Sequence, residues 1–348
     1  MSTASQPLER ECELKGDLRL PRIIVGLWQV SSEGWNARQP LASMINDLRT
    51  YYINGYFAFD MADIYGPAEP IYGDFLESLK KSPPTSLLSD TIPEPIGLTK
   101  WVPSSRESTT PSHIESVLQK SISRMKTSMI DVLQFHWWDY SEKRYLEAVQ
   151  HLAQCVKQEK YVRHVGLTNV DAIRLEEMCR LVPAIVTNQV QYSVIDTRPE
   201  GPIRRVCEKY SVKLLTYGTL LGGLLSETWM DQPEPMSNLT TSQCKYLQTI
   251  HAWGDWTLFQ KMLKTLETIA HSHNCSIANI AIRYVLQQPH VASVIVGARL
   301  GVSSHVEENW KSLDVVILPE EMQRINEVQA MGKNLLDVIG DCGQEYRQ

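Results

Sequence analysis

The sequence has no surplus of positive charge: 34 Lys and Arg stand against 40 Asp and Glu, for a formal net charge of −6. A protein that binds nucleic acid mainly through its phosphates needs a clustered basic excess, so that class is excluded. Glycine and proline are sparse, at 18 each in 348 residues, and hydrophobic residues make up 43%. Collagen-like, low-complexity and disordered readings therefore fail, and the chain can bury a sizeable core. No stretch reaches the roughly 18 uninterrupted apolar residues of a membrane span. The opening MSTASQPLERECELKGDLRL lacks the apolar run that forms the core of a signal peptide, so export is not expected. The seven cysteines, Cys12, Cys155, Cys179, Cys207, Cys244, Cys275 and Cys342, never fall in a C-x-x-C pair. Their scatter suits reduced thiols in a cytoplasmic protein.

What is present is an alternation. Short β-branched and aliphatic runs predict strands at Arg22–Gly26, Tyr56–Asp60, Pro95–Lys100, Asp131–His136, Val162–Leu167, Ala184–Gln189, Val212–Tyr217 and Ala292–Gly297. Segments of helical period separate them, among them Leu41–Tyr52, Glu69–Lys80, His113–Lys126, Ser141–Val156, Ala172–Leu181, Pro202–Tyr210 and Ser276–Gln287. Eight βα units predict one α/β domain over residues 1–348, a (β/α)8 TIM barrel whose strands all end on one face. The open dinucleotide-binding sheet is the competitor, but no G-x-G-x-x-G follows the first strand. Residues 12–22 read as an N-terminal β-hairpin turning at Gly16-Asp17 and plugging the barrel bottom. Residues 318–348 form a C-terminal tail.

Two stretches break the rhythm. Lys81–Glu94 is rich in Ser and Pro, and Gly218–Asp255, after strand seven, shows no clear period. A long loop there would overhang the face where the strands end.

Polar residues collect at those ends. Asp60 closes the second strand, with Tyr65 just after it in FDMADIYG. Lys100 closes the third and His136 the fourth; Thr168 and Asn169 follow the fifth, Gln189 ends the sixth and Tyr217 the seventh. A tyrosine becomes a useful proton donor when a nearby ammonium favours its phenolate, which Lys100 would do, and Asp60 would keep that lysine charged. Neutral His136 could polarise a carbonyl oxygen. There is no strong nucleophile, no metal cluster and no carboxylate pair of the glycosidase kind. His271 and His273 have metal-like spacing but no companion ligands, and read as a solvated helix end. The set is a proton-donating site suited to a hydride reagent.

D-x-A-D-x-Y-G at Asp60–Gly66, the Lys100 and His136 strand ends, V-G-L-T-N at Val165–Asn169 and N-Q-V-Q-Y-S at Asn188–Ser193 together resemble the aldo-keto reductase family, over about Arg22 to Asn309. The resemblance implies a barrel enzyme that reduces aldehydes and ketones with NADP(H), with NAD(H) as a second candidate cofactor. It implies Tyr65 as general acid, Lys100 as the neighbour that lowers its pKa, Asp60 as the partner of Lys100 and His136 as the orienting donor. It also implies Thr168, Asn169 and Gln189 on the nicotinamide carboxamide, Tyr217 stacked on the ring, and Gly218 and Leu220 along the cofactor. Gly297, Arg299, His305, Glu308 and Asn309 would hold the adenosine phosphate end. Leu300 stands where a small hydroxyl residue is common, and His305 where an arginine is common, which bears on 2′-phosphate recognition. Trp28, Trp101, Trp137 and Trp229 would surround the mouth and favour a bulky, apolar or aromatic carbonyl compound. The partner expected is that small molecule; the oligomeric state is open. The alternatives are a cofactor-bound regulatory subunit with little turnover, and an alcohol dehydrogenase for a pyridoxine- or sugar-like alcohol.

Overall fold

The computed structural model describes residues 6–31, 39–83, 92–104 and 106–347. An antiparallel hairpin, β1 (Glu11–Leu14) and β2 (Leu18–Pro21), comes first. Its turn needs two consecutive left-handed residues, and Gly16 (φ 74°) and Asp17 (φ 59°) supply them. Eight parallel strands follow and close on themselves: β3 (Ile23–Gly26), β4 (Ala58–Asp60), β5 (Ile96–Trp101), β6 (Ile130–Phe135), β7 (Val162–Thr168), β8 (Thr187–Gln191), β9 (Lys213–Tyr217) and β10 (Val291–Gly297). The last pairs with the first, Val294 opposite Ile23. This is the (β/α)8 TIM barrel expected from the alternation.

The helices are α1 (Leu41–Ile53), α2 (Ala68–Lys81), α3 (Pro111–Met125), α4 (Arg144–Lys157), α5 (Ala172–Leu181), α6 (Pro202–Tyr210), α7 (Thr241–Trp253), α8 (Trp256–Ser272), α9 (Ile277–Leu286), α10 (Val306–Asp314), α11 (Pro319–Gln329) and α12 (Leu335–Val338). The main core lies between strands and helices. A second, smaller cluster fills the barrel floor, where Leu14, Leu18 and Leu20 of the hairpin meet the inward-facing Ile24, Ala58, Leu98, Val132 and Leu215. The Lys15 ammonium ties the hairpin turn to the carbonyls of Pro183 and Tyr210, at 2.9 and 2.8 Å. With the floor plugged, the other end is the open face.

The connection after β9 is more ordered than its sequence suggests. Within Gly218–Asp255 lie 3₁₀ turns at Leu221–Gly223 and Glu227–Trp229, and then the whole of α7. Thr240 and Gln243 form a capping box that starts this helix, and Tyr246, Ile250 and Trp253 bury one side of it. Trp253 is core, its indole N–H donating to the Gln329 carbonyl at 3.2 Å. Of the other irregular stretch, residues 84–91 lie outside the described residues. Among the described residues no helix is long and apolar enough to cross a membrane.

Candidate active site

Strand alternation builds the site. In β5, Leu98 faces the barrel floor and Lys100, two residues on, faces the same interior one layer higher; Val132 and Gln134 of β6 and His136 just past its end climb in the same way. The Lys100 ammonium donates to Asp60 Oδ2 at 2.6 Å and to the Met61 carbonyl at 3.0 Å, both partners fully within the protein. Asp60 Oδ1 accepts from Gln134 Nε2 and from Gln189 Nε2, each at 2.7 Å, and Gln189 Nε2 also reaches Gln134 Oε1 at 2.7 Å. A buried charge pair is tolerated only when its remaining hydrogen-bonding capacity is met, and these two amides meet it. Sequence reasoning missed Gln134; its inward period of two with His136 was the available signal.

Tyr65 sits in the turn after β4, held by its N–H to the Ala62 carbonyl at 3.0 Å. Asp63 fastens this turn to the end of β5, since its N–H donates to the Lys100 carbonyl at 3.0 Å and its carboxylate accepts the Val102 N–H at 3.3 Å. Burial pushes the Asp63 carboxyl up to about 7, with Glu69 and Glu107 opposing the Val102 and Arg124 contacts. The Lys100 ammonium lies 4.9 Å from the centre of the Tyr65 ring. The expectation that this charge acidifies the resting phenol needs correcting. Burial, reinforced by the Asp60 carboxylate, holds the Tyr65 pKa well above its ordinary value. The ammonium is already engaged by Asp60, and burial lowers its own pKa.

His136 is buried, and among the described residues its Nε2 has no hydrogen-bond partner. Burial pushes its pKa down to about 3, with the cations Arg347, Lys100 and Lys245 adding to the effect, so the ring is neutral. Trp138 stacks on it, ring centres 4.4 Å apart. The hydroxyl of Thr168 is likewise buried without a partner. Asn169 adopts a left-handed backbone (φ 55°), and its Oδ1 accepts from the Tyr217 hydroxyl at 2.8 Å. Gly218, also left-handed (φ 72°), lies against the Tyr246 ring, and Leu220 is half-buried beside it.

The tryptophans need revision. Trp101 and Trp137 were expected at the mouth, yet alternation turns each away from its inward neighbours Lys100 and His136, and both pack in the helical layer against Phe135. Trp138 faces His136 instead. Trp229 packs edge-on to Trp256 of α8, 6.1 Å between ring centres, and Trp28 forms part of a half-buried 3₁₀ turn after β3. At the end of β10 and just past it, Gly297 and Arg299 are exposed. His305 Nδ1 lies 2.9 Å from Glu308 Oε2 at the start of α10, and Asn309 is buried behind them. A cavity of about 570 Å³ opens next to Glu308, lined also by Glu227, Cys275, Asn279 and Lys311.

The tail supplies residues that nothing in the sequence singled out. Tyr346 stands edge-on to His136 and to Trp138, and the Arg347 guanidinium donates to the carbonyls of Trp137 and Asn169. Lys245 of α7 reaches the Tyr346 hydroxyl. Among the described residues no cluster of three or more His, Cys, Asp or Glu could hold a metal ion, and His273 pairs with Glu321 at 2.8 Å.

An ion pair, a tyrosine and a neutral histidine at the strand ends of a plugged barrel form a constellation that family comparison can identify, and residues 22–330 match the aldo/keto reductase family. The chain belongs to that family. It is 21% identical to the methylglyoxal reductase YeaE of Escherichia coli over 95% of this chain and 99% of that one. Other curated relatives, 25–28% identical, are matched over only 33–66% of their own length. Among solved structures, the glycerol dehydrogenase AKR11B4 of Gluconobacter oxydans superposes with a TM-score of 0.73 at 20% identity, covering 95% of this chain and 97% of that one. An aldo/keto reductase of Klebsiella pneumoniae, solved with NADP and acetate, superposes with a TM-score of 0.67 at 19% identity, covering 92% and 96%. At these identities the structures establish the fold.

Proposed function

We propose that the chain catalyses reversible hydride transfer between NADP(H) and a carbonyl compound, reducing an aldehyde or ketone to an alcohol with Tyr65 as proton donor. The observation that carries this reading is the pair of buried polar atoms without partners, His136 Nε2 and Thr168 Oγ1, at the end of the barrel where the Lys100 and Asp60 pair lies beside Tyr65. Orphaned buried polar atoms cost about 1–3 kcal/mol each and persist where a ligand completes them. The donor set fits a nicotinamide dinucleotide. Thr168, Asn169 and Gln189 offer a hydroxyl and two amides for a carboxamide, and Tyr217 offers a ring face. Gly218 and Leu220 would line the path outward, while Gly297, Arg299, His305, Glu308 and Asn309 would take the adenosine phosphate end. When bound, NADP(H) supplies the hydride.

The protein residues do the rest. His136, neutral and carrying its proton on Nε2, donates to the carbonyl oxygen and orients it. Burial keeps Tyr65 protonated, so it holds a proton ready for the oxygen on which negative charge develops. Lys100 then acts on the phenolate that forms, where an ammonium in a dry site stabilises most. The ring of Trp138 beside His136 favours an apolar substituent on the substrate. The Klebsiella pneumoniae relative solved with NADP and the Escherichia coli methylglyoxal reductase support the cofactor and the reaction class.

Tyr65→Phe tests the reading. Carbonyl-dependent NADPH oxidation should fall by about three orders of magnitude, from loss of a positioned acid, while NADPH binding measured by tryptophan fluorescence stays near wild type. Undiminished turnover in that variant would remove Tyr65 from its role.

A further inference from the structure

The C-terminal segment after α12 turns back over the open end of the barrel and enters it. Asp341 Oδ2 accepts the Ala172 N–H at 2.9 Å, Cys342 is buried, and Glu345 pairs with the buried Arg198 at 2.8 Å. Gly343 is left-handed (φ 87°), and a side chain there would collide with the Asn169 carbonyl. Arg347 then clamps the end down, donating to the carbonyls of Trp138 (3.2 Å), Trp137 (3.2 Å) and Asn169 (2.6 Å) and to the Tyr140 hydroxyl (2.8 Å). Its guanidinium carbon lies 4.1 Å from the Tyr140 ring centre.

Between these anchors Tyr346 is inserted into the site itself. Its ring stands 5.9 Å from that of His136, its hydroxyl is hydrogen-bonded to that of Tyr217 at 3.1 Å, and Lys245 donates to the same hydroxyl. Tyr217 is turned so that its hydroxyl holds the side-chain oxygen of Asn169. The segment thus engages Asn169 and Tyr217, two of the four residues the proposed function gives to the nicotinamide, and sets the Tyr346 ring nearly perpendicular to that of His136. The closed arrangement also carries a cost of its own, since among the described residues Arg347 Nη1 is buried without a partner.

We propose that Tyr346 and Arg347 set the cofactor affinity by competing with the nicotinamide for Asn169 and Tyr217, so that the segment must withdraw before the cofactor seats. This rests on the proposed function. Apparent affinity is then the intrinsic affinity multiplied by the fraction of molecules with the segment withdrawn. On withdrawal, Lys245 loses its Tyr346 partner and keeps its contacts over the rings of Tyr217 and Tyr246.

The test uses the full chain, a variant lacking residues 346–348, and Arg347→Ala, with NADPH as the probe. Tryptophan fluorescence titration should give a Kd about tenfold lower in both variants than in wild type. Amide exchange across 342–347 in wild type should rise when NADPH is added, a readout independent of turnover and of whether the variants fold. Wild type that binds NADPH with unchanged exchange in the segment, or variants that bind it no more tightly, overturns the competition and leaves the reductase reading intact. Failure of folded wild type and variants alike to bind NADPH overturns both.

Discussion

His136 illustrates how one buried side chain is set for work at a measurable expense. Its neutrality comes first from burial, then from the three cations around it. The unfolded chain takes up a proton at this residue below about pH 6.5, whereas the folded protein resists until about 3. Folded stability is therefore lost at His136 as pH falls through that window, by up to about 2 kcal/mol between pH 6.5 and 5. His136→Gln has nothing to titrate. Urea unfolding of the two proteins should show wild type losing stability relative to the variant by that amount; parallel pH curves would mean that the imidazole is solvated in the folded state. The four residues proposed for catalysis stand out in the sequence because each is chemically conspicuous at a strand end or, for Tyr65, in the turn that follows one. Gln134 and Trp138 do not, although the same alternation that exposes Lys100 and His136 points them inward too.

Among the elements, strands were the easiest to read. A fully buried parallel strand is a short aliphatic run between polar segments, and β7, β9 and β10 fall within a residue or so of their sequence patterns. Helix α7 was hidden because its buried side carries Tyr246, Thr249 and Trp253 in place of an aliphatic stripe, and its strongest signal is the Thr240 and Gln243 cap. At α10 the first turn holds the residues proposed for the adenosine phosphate end and is also braced by the fold. His305 faces Glu308 while the Asn279 amide holds the Glu308 carbonyl at 2.8 Å, so the turn is fixed from behind and presents its exposed side chains outward. His305→Arg places a permanent, forked cation on that turn. NADPH should bind about tenfold more tightly to this variant while NADH binding stays constant, read from paired fluorescence titrations. Equal gains for both cofactors would place the effect away from the 2′-phosphate.

At the scale of the whole molecule, the two ends of the barrel were unequally readable. The hairpin floor is local, with its turn written in Gly16-Asp17, whereas the covering of the open end by Tyr346 and Arg347 depends on tertiary contacts with residues as distant in sequence as Trp137 and Asn169. No period or motif in the tail encodes that destination. The same long reach governs the barrel wall. A chain ending at residue 290 would leave β3 and β9 with bare edges, so it should show no cooperative melt and rapid limited proteolysis; a sharp transition in that fragment would mean that the sheet can stand open. During synthesis the consequence is one of timing. Ile23 leaves the ribosome early, but its partner Val294 is made about 270 residues later, on the order of ten seconds to a minute at ordinary elongation rates. Through that interval the first strand has a neighbour on one side only, and its other edge stays open until the final strand closes the seam.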